Sequence, residues 1–309
     1  MGLKAKIFSL IFINLTILSC LFAAAAQNKT IALTIDDLPL NGPSIEIERL
    51  QKMTEKLLTV TRQNRIPMVG FVNEALLYAP NETDARIAVL KMWHDAGVEL
   101  GNHNFSHLGF KGASLAAYED DFIRGDSVIN LLVKPKKPRY FRHPFLQMGE
   151  TREVEDSFEK FIAERGYKSV PVTIDPMDWM FLAAYSKALK EKDKALQKRV
   201  SEDYLKFVGL RIDAREKVSD GLFNRQIKHI LLIHANELTA DTFEALVKIF
   251  KNKGYRFITV EEALQDAAYR FPDKYLPSSD WLTHWSFSEG KRFEVPAPPE
   301  YIQQIFQGK

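Results

Sequence analysis

Short apolar runs alternate with longer stretches of helical spacing along most of the chain. "TIALTID" (30–36), "PMVGFVN" (67–73) and "VELGNH" (98–103) read as strands, the last running out into a loop. "RYFRHPF" (139–145), "YKSVPVTID" (167–175), "HILLIHAN" (229–236) and "RFITVEEAL" (256–264) continue the series. Between them, 44–64 has apolar residues at helical spacing, with Ser44 as its expected N-cap. A helix over 83–97 is expected to end at Gly97. Further helices are expected near 113–132, 151–165, 181–217 and 239–253. Strands alternating with helices predict an α/β fold built on a parallel sheet or barrel. No internal repeat or low-complexity block interrupts it. From Phe271 on, "WLTHWSF" and "PAPPEY" break the alternation, and this tail is expected to pack over the domain as an irregular cap. His284 and Trp285 within it are read as packing residues rather than as part of a substrate groove.

The start of the chain has a different pattern. Lys4 and Lys6 precede an almost wholly apolar run from Ile7 to Phe22, and "AAAAQ" (23–27) offers small residues for cleavage. This predicts a secretory signal peptide over 1–26, a catalytic domain over 27–270 and a C-terminal extension over 271–309. A retained anchor, or a lipoprotein carrying its lipid on Cys20, are the alternatives, and only they imply membrane association. Cys20 is the only cysteine of the 309 residues, so cleavage after Ala26 would leave neither a disulfide nor a thiolate ligand. The predicted location is periplasmic or secreted. Losing Lys4 and Lys6 would bring the 42 basic residues down to 40, level with the 40 acidic ones. No basic field remains to attract nucleic acid.

The candidate chemistry lies at the ends of the predicted strands. Asp36 and Asp37 end the first, His103 the third, Asp175 the fifth and His234 the sixth, while Arg142 and His143 follow "RYF". A strand end needs a turn, which Asp or Asn supplies; it does not need His and Arg. In parallel α/β folds these ends gather on one face. His103 and His107 are four residues apart, a spacing that on a helical turn would let both reach one ion. Asp37 would supply a third ligand, giving the three-ligand set of a hydrolytic metal site with a position left open. Asp36 is then placed to take a proton, Arg142 to hold a catalytic carboxylate ionised, and His234 to act as general acid. Asp175 is the candidate orienter of a histidine, and Phe145 and Trp179 of an apolar wall suited to sugar rings. Each residue also has a plain structural reading, as turn cap, ion pair or core aromatic.

Taken in order, "TIDD", "HNFSH", "RHPF", "DPMDW" and "LLIH" resemble the five motifs of the polysaccharide deacetylase family (NodB homology, carbohydrate esterase family 4). The resemblance spans roughly Thr30 to Leu264. It implies a distorted (β/α) barrel with a helical insertion and an irregular C-terminal cap. It implies Asp36 as base, and Asp37, His103 and His107 as ligands of Zn²⁺, Co²⁺ or another divalent ion. Arg142 would partner the base, Asp175 the acid His234, and the backbone N–H of Phe145 would help hold the oxyanion. Ile35, Asn104 and Leu146 depart from the usual Phe, Ser or Thr, and Gly, and the stretch from Trp179 to His229 is longer than a minimal member needs. The expected function is removal of N-acetyl groups from an amino-sugar glycan such as a chitooligosaccharide or peptidoglycan. O-deacetylation of a glycan such as xylan, and a non-catalytic glycan-binding barrel, are the alternatives.

Overall fold

The computed structural model describes residues 29–134, 139–274 and 278–308. The expected signal peptide, with Cys20, lies outside the described residues. Seven strands form one parallel sheet: β1 (Lys29–Leu38), β2 (Met68–Val72), β3 (Glu99–Asn102), β4 (Arg139–Phe141), β5 (Tyr167–Ser169), β6 (Lys228–His234) and β7 (Tyr255–Ile258). Their order is β5-β4-β3-β2-β1-β6, with β7 paired to β1 off that path. One edge of β1 carries β6, from Thr30 to Asp36. The other edge is shared, first by β7 over Lys29–Ala32 and then by β2 from Leu33 onward. Beyond β5 the chain turns back towards β6. Ile174 bridges Leu231, Thr173 N donates to Ile230 O at 3.0 Å, and Leu232 N donates to Ile174 O at 3.0 Å. The result is a distorted (β/α) barrel that is not closed by a ladder, with only this one bridge, among the described residues, between the segment after β5 and β6.

The burial of β1 explains why its sequence is almost continuously apolar. Both faces are covered, as in parallel sheets generally. Ile31, Leu33 and Ile35 face outward into the large core shared with helices α1 (Ile47–Asn64), α2 (Thr83–Asp95) and α8 (Glu237–Asn252). The alternate residues face the barrel interior. Its lower layer holds Ala32, Val69, Phe71, Tyr140 and Ile230. Two residues further along the strands lie Thr34 and Leu232, and two further still Asp36 and His234. The polar groups are therefore the top layer of a stack that is apolar below, at the carboxyl ends of the strands.

Several local expectations need correction. Ser44 does not cap α1, which starts after Glu46 without a side-chain cap; the Ser44 hydroxyl instead accepts from Arg86 Nη2 at 3.1 Å. The helix expected near 113–132 is two, α3 (Leu115–Arg124) and α4 (Ser127–Leu132), parted at Gly125. A Cβ on Gly125 would lie 2.5 Å from the carbonyl carbon of Asn104, so glycine allows the junction to press against that loop. The helix expected over 181–217 begins earlier and is also two, α6 (Asp178–Glu191) and α7 (Lys194–Phe223), following α5 (Arg152–Glu164). Lys192 in the left-handed region ends α6, and the Asp193 carboxylate caps α7 by accepting from Leu196 N at 2.9 Å. "RFITVEEAL" divides into β7 and the short α9 (Val260–Leu264), capped by Thr259.

The tail packs on the domain through α10 (Trp281–Ser288) and α11 (Glu300–Phe306), joined by a stretch without regular structure. His284 and Trp285 are buried, Trp285 against Val218, Ile227 and Leu282. Ile302 of α11 reaches the main core.

An aromatic cluster of Phe110, Tyr118, Phe122, Phe141 and Phe158 backs β4 and the loop after β3. Phe158 is fully buried and rings 110, 118, 122 and 141 all lie within 6.0 Å of it, centroid to centroid. Phe158→Ala is expected to cost about 3–5 kcal/mol, read from urea unfolding.

Candidate active site

Two neighbouring aspartates on a regular strand would point to opposite faces. Here the pairing of β1 with β2 shifts register between Ile35 and Leu38, and Asp37 has φ 60°. That left-handed residue breaks the alternation and turns the second carboxylate to the same end of the barrel as the first. Asn41, in the loop that follows, donates from Nδ2 to Asp37 Oδ2 at 2.7 Å.

The histidine pair lies on a loop after β3, not on a helical turn. Asn104 and His107 both have positive φ, at 62° and 57°. The loop is held from below and from the side. His103 N donates to Val72 O at 3.0 Å, Asn104 N to Asn102 Oδ1 at 2.8 Å, and Phe105 N to Asp121 O at 3.0 Å. The Ser106 hydroxyl donates to Asp121 Oδ1 at 2.9 Å. His103 Nδ1 lies 2.7 Å from Arg142 O, which fixes the proton on Nδ1 and leaves the Nε2 lone pair free.

Asp37 Oδ1 is buried and has no hydrogen-bond partner. It lies 3.7 Å from His103 Nε2 and 3.4 Å from His107 Nε2. One ligand atom from each of the three residues falls within 4.8 Å of the others. Bonds of about 2.0–2.1 Å in a tetrahedral shell put ligand atoms roughly 3.3 Å apart, so this set fits a small divalent ion. Burial lowers the pKa of His103 to about 3, helped by His107, and burial also lowers that of His107. Both rings are thus neutral near pH 7 and can act as ligands. Burial tends to raise the pKa of Asp37, but His107, His103, His234 and the Asn41 hydrogen bond outweigh it and lower it. With the two ligand imidazoles neutral, the charge on His234 and the Asn41 bond are the parts of that stabilisation that persist.

Asp36 sits beside this set but is engaged elsewhere. Its Oδ2 is 3.3 Å from Arg142 Nη1 and 3.8 Å from His103 Nε2. Its Oδ1 is buried without a partner. Arg142 is itself fully committed: Nε donates to Val170 O at 2.7 Å and Nη2 to Thr34 Oγ1 at 3.1 Å, with the guanidinium 4.7 Å from the Phe71 ring centre. Burial raises the Asp36 pKa to about 6, although Arg142 and His234 pull it down. It remains ionised at neutral pH and able to accept a proton.

His234 is the direct neighbour of Asp36 across the β1–β6 pairing. Its carboxylate partner is Asp178, not Asp175. Nδ1 of His234 lies 2.8 Å from Asp178 Oδ1, and the His234 N–H donates to Oδ2 at 2.8 Å. Asn236 Nδ2 and Thr239 Oγ1 also donate to Oδ2, at 3.1 and 2.9 Å. Burial would lower the His234 pKa, but Asp178, with Asp37 and Asp36, raises it to about 10. Asp175 does something else. Its Oδ1 accepts from Met177 N at 2.7 Å, and Met177 takes a left-handed φ of 57°. This turn swings the chain so that the residue three places on points inward. A sign was present in the sequence: Asp178 opens an apolar-periodic helix, where an acidic first turn is favourable.

The two expected wall residues are not alike. Phe145 packs edge-on against His107, with centroids 4.4 Å apart, and is 57% exposed at φ 55°. Trp179 is half-buried in the first turn of α6, where it meets Phe306 of α11 at 5.2 Å. Leu146 also has a positive φ, 53°, where a side chain is strained, and it is buried with Val172 and Leu232. Asn41 and Asp121 are neighbours of the site that lie outside the five motifs, while Thr34 and Asp178 lie within "TIDD" and "DPMDW" and were passed over there.

Asp178→Asn is expected to lower turnover at least about 100-fold, whereas Asp175→Asn, which keeps a side-chain oxygen for Met177 N, should lose less than tenfold. Comparing kcat for the two variants checks the assignment. Gly125→Ala should force the ligand loop outward; metal affinity is expected to fall together with about 1–3 kcal/mol of stability, measured by chelator competition and urea unfolding.

The polysaccharide deacetylase family profile matches residues 23–168. A peptidoglycan-N-acetylglucosamine deacetylase of Bacillus cereus is 22% identical over 255 residues, covering 81% of this chain and 73% of that one. A second Bacillus cereus protein of the same description is 26% identical over 249 residues, covering 77% and 90%. Among solved structures, a CE4 family pseudoenzyme from Bacillus anthracis shares the fold at a TM-score of 0.53 and 18% identity, covering 77% of this chain and 66% of that chain. With the five motifs gathered at one end of a distorted (β/α) barrel, the stretch 23–168 matches the polysaccharide deacetylase family, and the fold is that of its CE4 relatives.

Proposed function

We propose that the protein is a metal-dependent hydrolase that removes N-acetyl groups from an amino-sugar glycan of the peptidoglycan or chitooligosaccharide kind. The observation that carries this reading is the grouping of Asp37, His103 and His107 with Asp36 on one flank and the Asp178–His234 pair close by. The family match alone would not suffice, since the Bacillus anthracis relative is described as a pseudoenzyme. What supports catalysis here is that base, acid, ligand set and the partners of each are all present. CE4 deacetylases generally depend on a divalent metal, and Zn²⁺ suits two imidazoles and a carboxylate. Bound by these three residues, such an ion would supply Lewis acidity to the acetyl carbonyl and to water.

The chain's own groups do the rest. Asp36, kept ionised by Arg142, takes the proton of the attacking water at one of its carboxylate oxygens. The N–H of Phe145 is assigned to the developing oxyanion, in a turn whose backbone is already strained. His234 is protonated on both nitrogens below about pH 10: Nδ1–H is held by Asp178, and Nε2–H is available to the leaving amine. The base is thus ionised and the acid protonated over the same range. Exposed Phe145 offers an aromatic face to a sugar ring. Export, with cleavage after Ala26, completes the proposal, and N-terminal sequencing of the protein from its native host would check it.

Acetate release from N-acetylated chitooligosaccharides is expected from residues 27–309 with Zn²⁺ or Co²⁺, and is expected to vanish on chelation. Metal binding without acetate release would move the substrate to peptidoglycan or to O-acetyl esters, and failure to bind metal would sink the proposal. Asp36→Asn should keep metal affinity within about threefold and lose at least about 100-fold in kcat. The pH profile of kcat should rise through about pH 6, as Asp36 ionises, and fall towards about pH 10, as His234 loses its proton. A profile flat between pH 5 and 7 would contradict the base assignment.

A further inference from the structure

The helical insertion and the C-terminal tail meet directly behind the segment that carries Asp178. Arg211 and Arg215, one turn apart on α7, are both buried, and both turn towards the buried Asp280 of the tail. Arg215 Nη2 donates to Asp280 Oδ2, and Arg211 Nη2 lies 3.8 Å from the same oxygen. Asp280 is placed by its own helix, accepting from Thr283 N at 3.2 Å as the N-cap of α10. Arg211 has a second contact: its Nε donates to the main-chain carbonyl of Asp175 at 2.9 Å. The next residue of the tail, Trp281, donates its N–H to Val172 O at 2.7 Å. The segment from Val172 to Asp175 is therefore held at both ends from outside the barrel.

That segment leads straight to the acid. The Asp175 carboxylate fixes Met177 N, Met177 turns left-handed, and Asp178 then meets both the ring and the N–H of His234. We propose that Arg211 and Asp280 are positioning residues for the acid: they form a brace through which the insertion and the tail fix the Asp175 turn, and with it Asp178 against His234. The inference rests on the reading of His234 as general acid. Geometry supports it: two buried guanidiniums face the one carboxylate of Asp280, and Arg211 alone of the two also reaches the Asp175 carbonyl. Apolar packing could give similar stability, since replacing buried ion pairs by hydrophobic residues is often neutral or better. It could not direct a hydrogen bond at one carbonyl. The brace accounts for the placement of an aspartate at 175 that does not itself touch the histidine.

The test uses the full exported chain, loaded with Zn²⁺, as wild type, Arg211→Met, Asp280→Asn and Ile302→Ala. Ile302 docks α11 on the main core, makes none of the polar contacts of the brace and serves as a stability control. Arg211→Met is expected to lower kcat on N-acetylated chitooligosaccharides at least tenfold, with KM and Zn²⁺ affinity within twofold. Asp280→Asn should lower it less, in the same direction. Ile302→Ala should lower the melting temperature and leave kcat within twofold. Arg211→Lys keeps the charge but withdraws Nε, and serves if Arg211→Met does not fold. Independently of activity, hydrogen exchange of the His234 N–H should speed at least tenfold in the Arg211 variant and not in Ile302→Ala. A kcat loss in the Arg211 variant no larger than that of Ile302→Ala, or unchanged exchange at His234, overturns the brace. If wild type neither binds Zn²⁺ nor releases acetate, the functional reading fails while the exchange measurement still decides the brace.

Discussion

Everything at this site depends on one backbone conformation, the left-handed residue at Asp37. A strand that kept its alternation would send one of the two aspartates to the outer face, the apolar side on which Ile31, Leu33 and Ile35 pack, where a carboxylate has no partner. The turn at Asp37 places both carboxylates at the barrel mouth and gives them different neighbours. Asp37 meets two histidines and an amide; Asp36 meets a guanidinium and a histidine across the sheet. The strain of that conformation, of order 1–3 kcal/mol, is borne by a strand buried on both faces and paired along both edges. The same device recurs at Asn104, His107, Phe145, Leu146 and Met177, all around the site.

Burial then sorts the titrating groups. Desolvation keeps His103 and His107 neutral and lifts Asp36 to about 6, because it penalises whichever form is charged. His234 is buried too, yet its pKa rises to about 10, because Asp178 lies 2.8 Å away with three donors of its own holding it in place. One fold thus supplies neutral imidazoles on one side and a charged imidazolium on the other. The difference lies in the partner each ring nitrogen meets: a main-chain carbonyl for His103, a carboxylate for His234.

The alternation of strands and helices, and the polar residues at strand ends, were legible because both follow from periodicity: parallel strands buried on two faces are apolar until they leave the sheet. The same reasoning brought Asp36, Asp37, His103, His107, Arg142 and His234 together, and the structure places them at one end of the barrel. It failed where a turn decides. Asp175 ends an extended segment and so looked like the partner of His234; three residues of turn, with Met177 left-handed, put Asp178 there instead. The histidine pair has helical spacing, yet two positive-φ residues and the Asp121 contacts make it a loop. Long-range partners such as Arg211 and Asp280 carry no local pattern at all.

Zinc K-edge absorption of the metal-loaded protein, with His103→Ala and His107→Ala alongside, tests the central claim most directly. Two imidazole nitrogens at about 2.0–2.1 Å, with oxygen making up the shell and one nitrogen lost in each variant, are what the arrangement of Asp37, His103 and His107 requires. A zinc shell without imidazole, or one unchanged by either substitution, would contradict it.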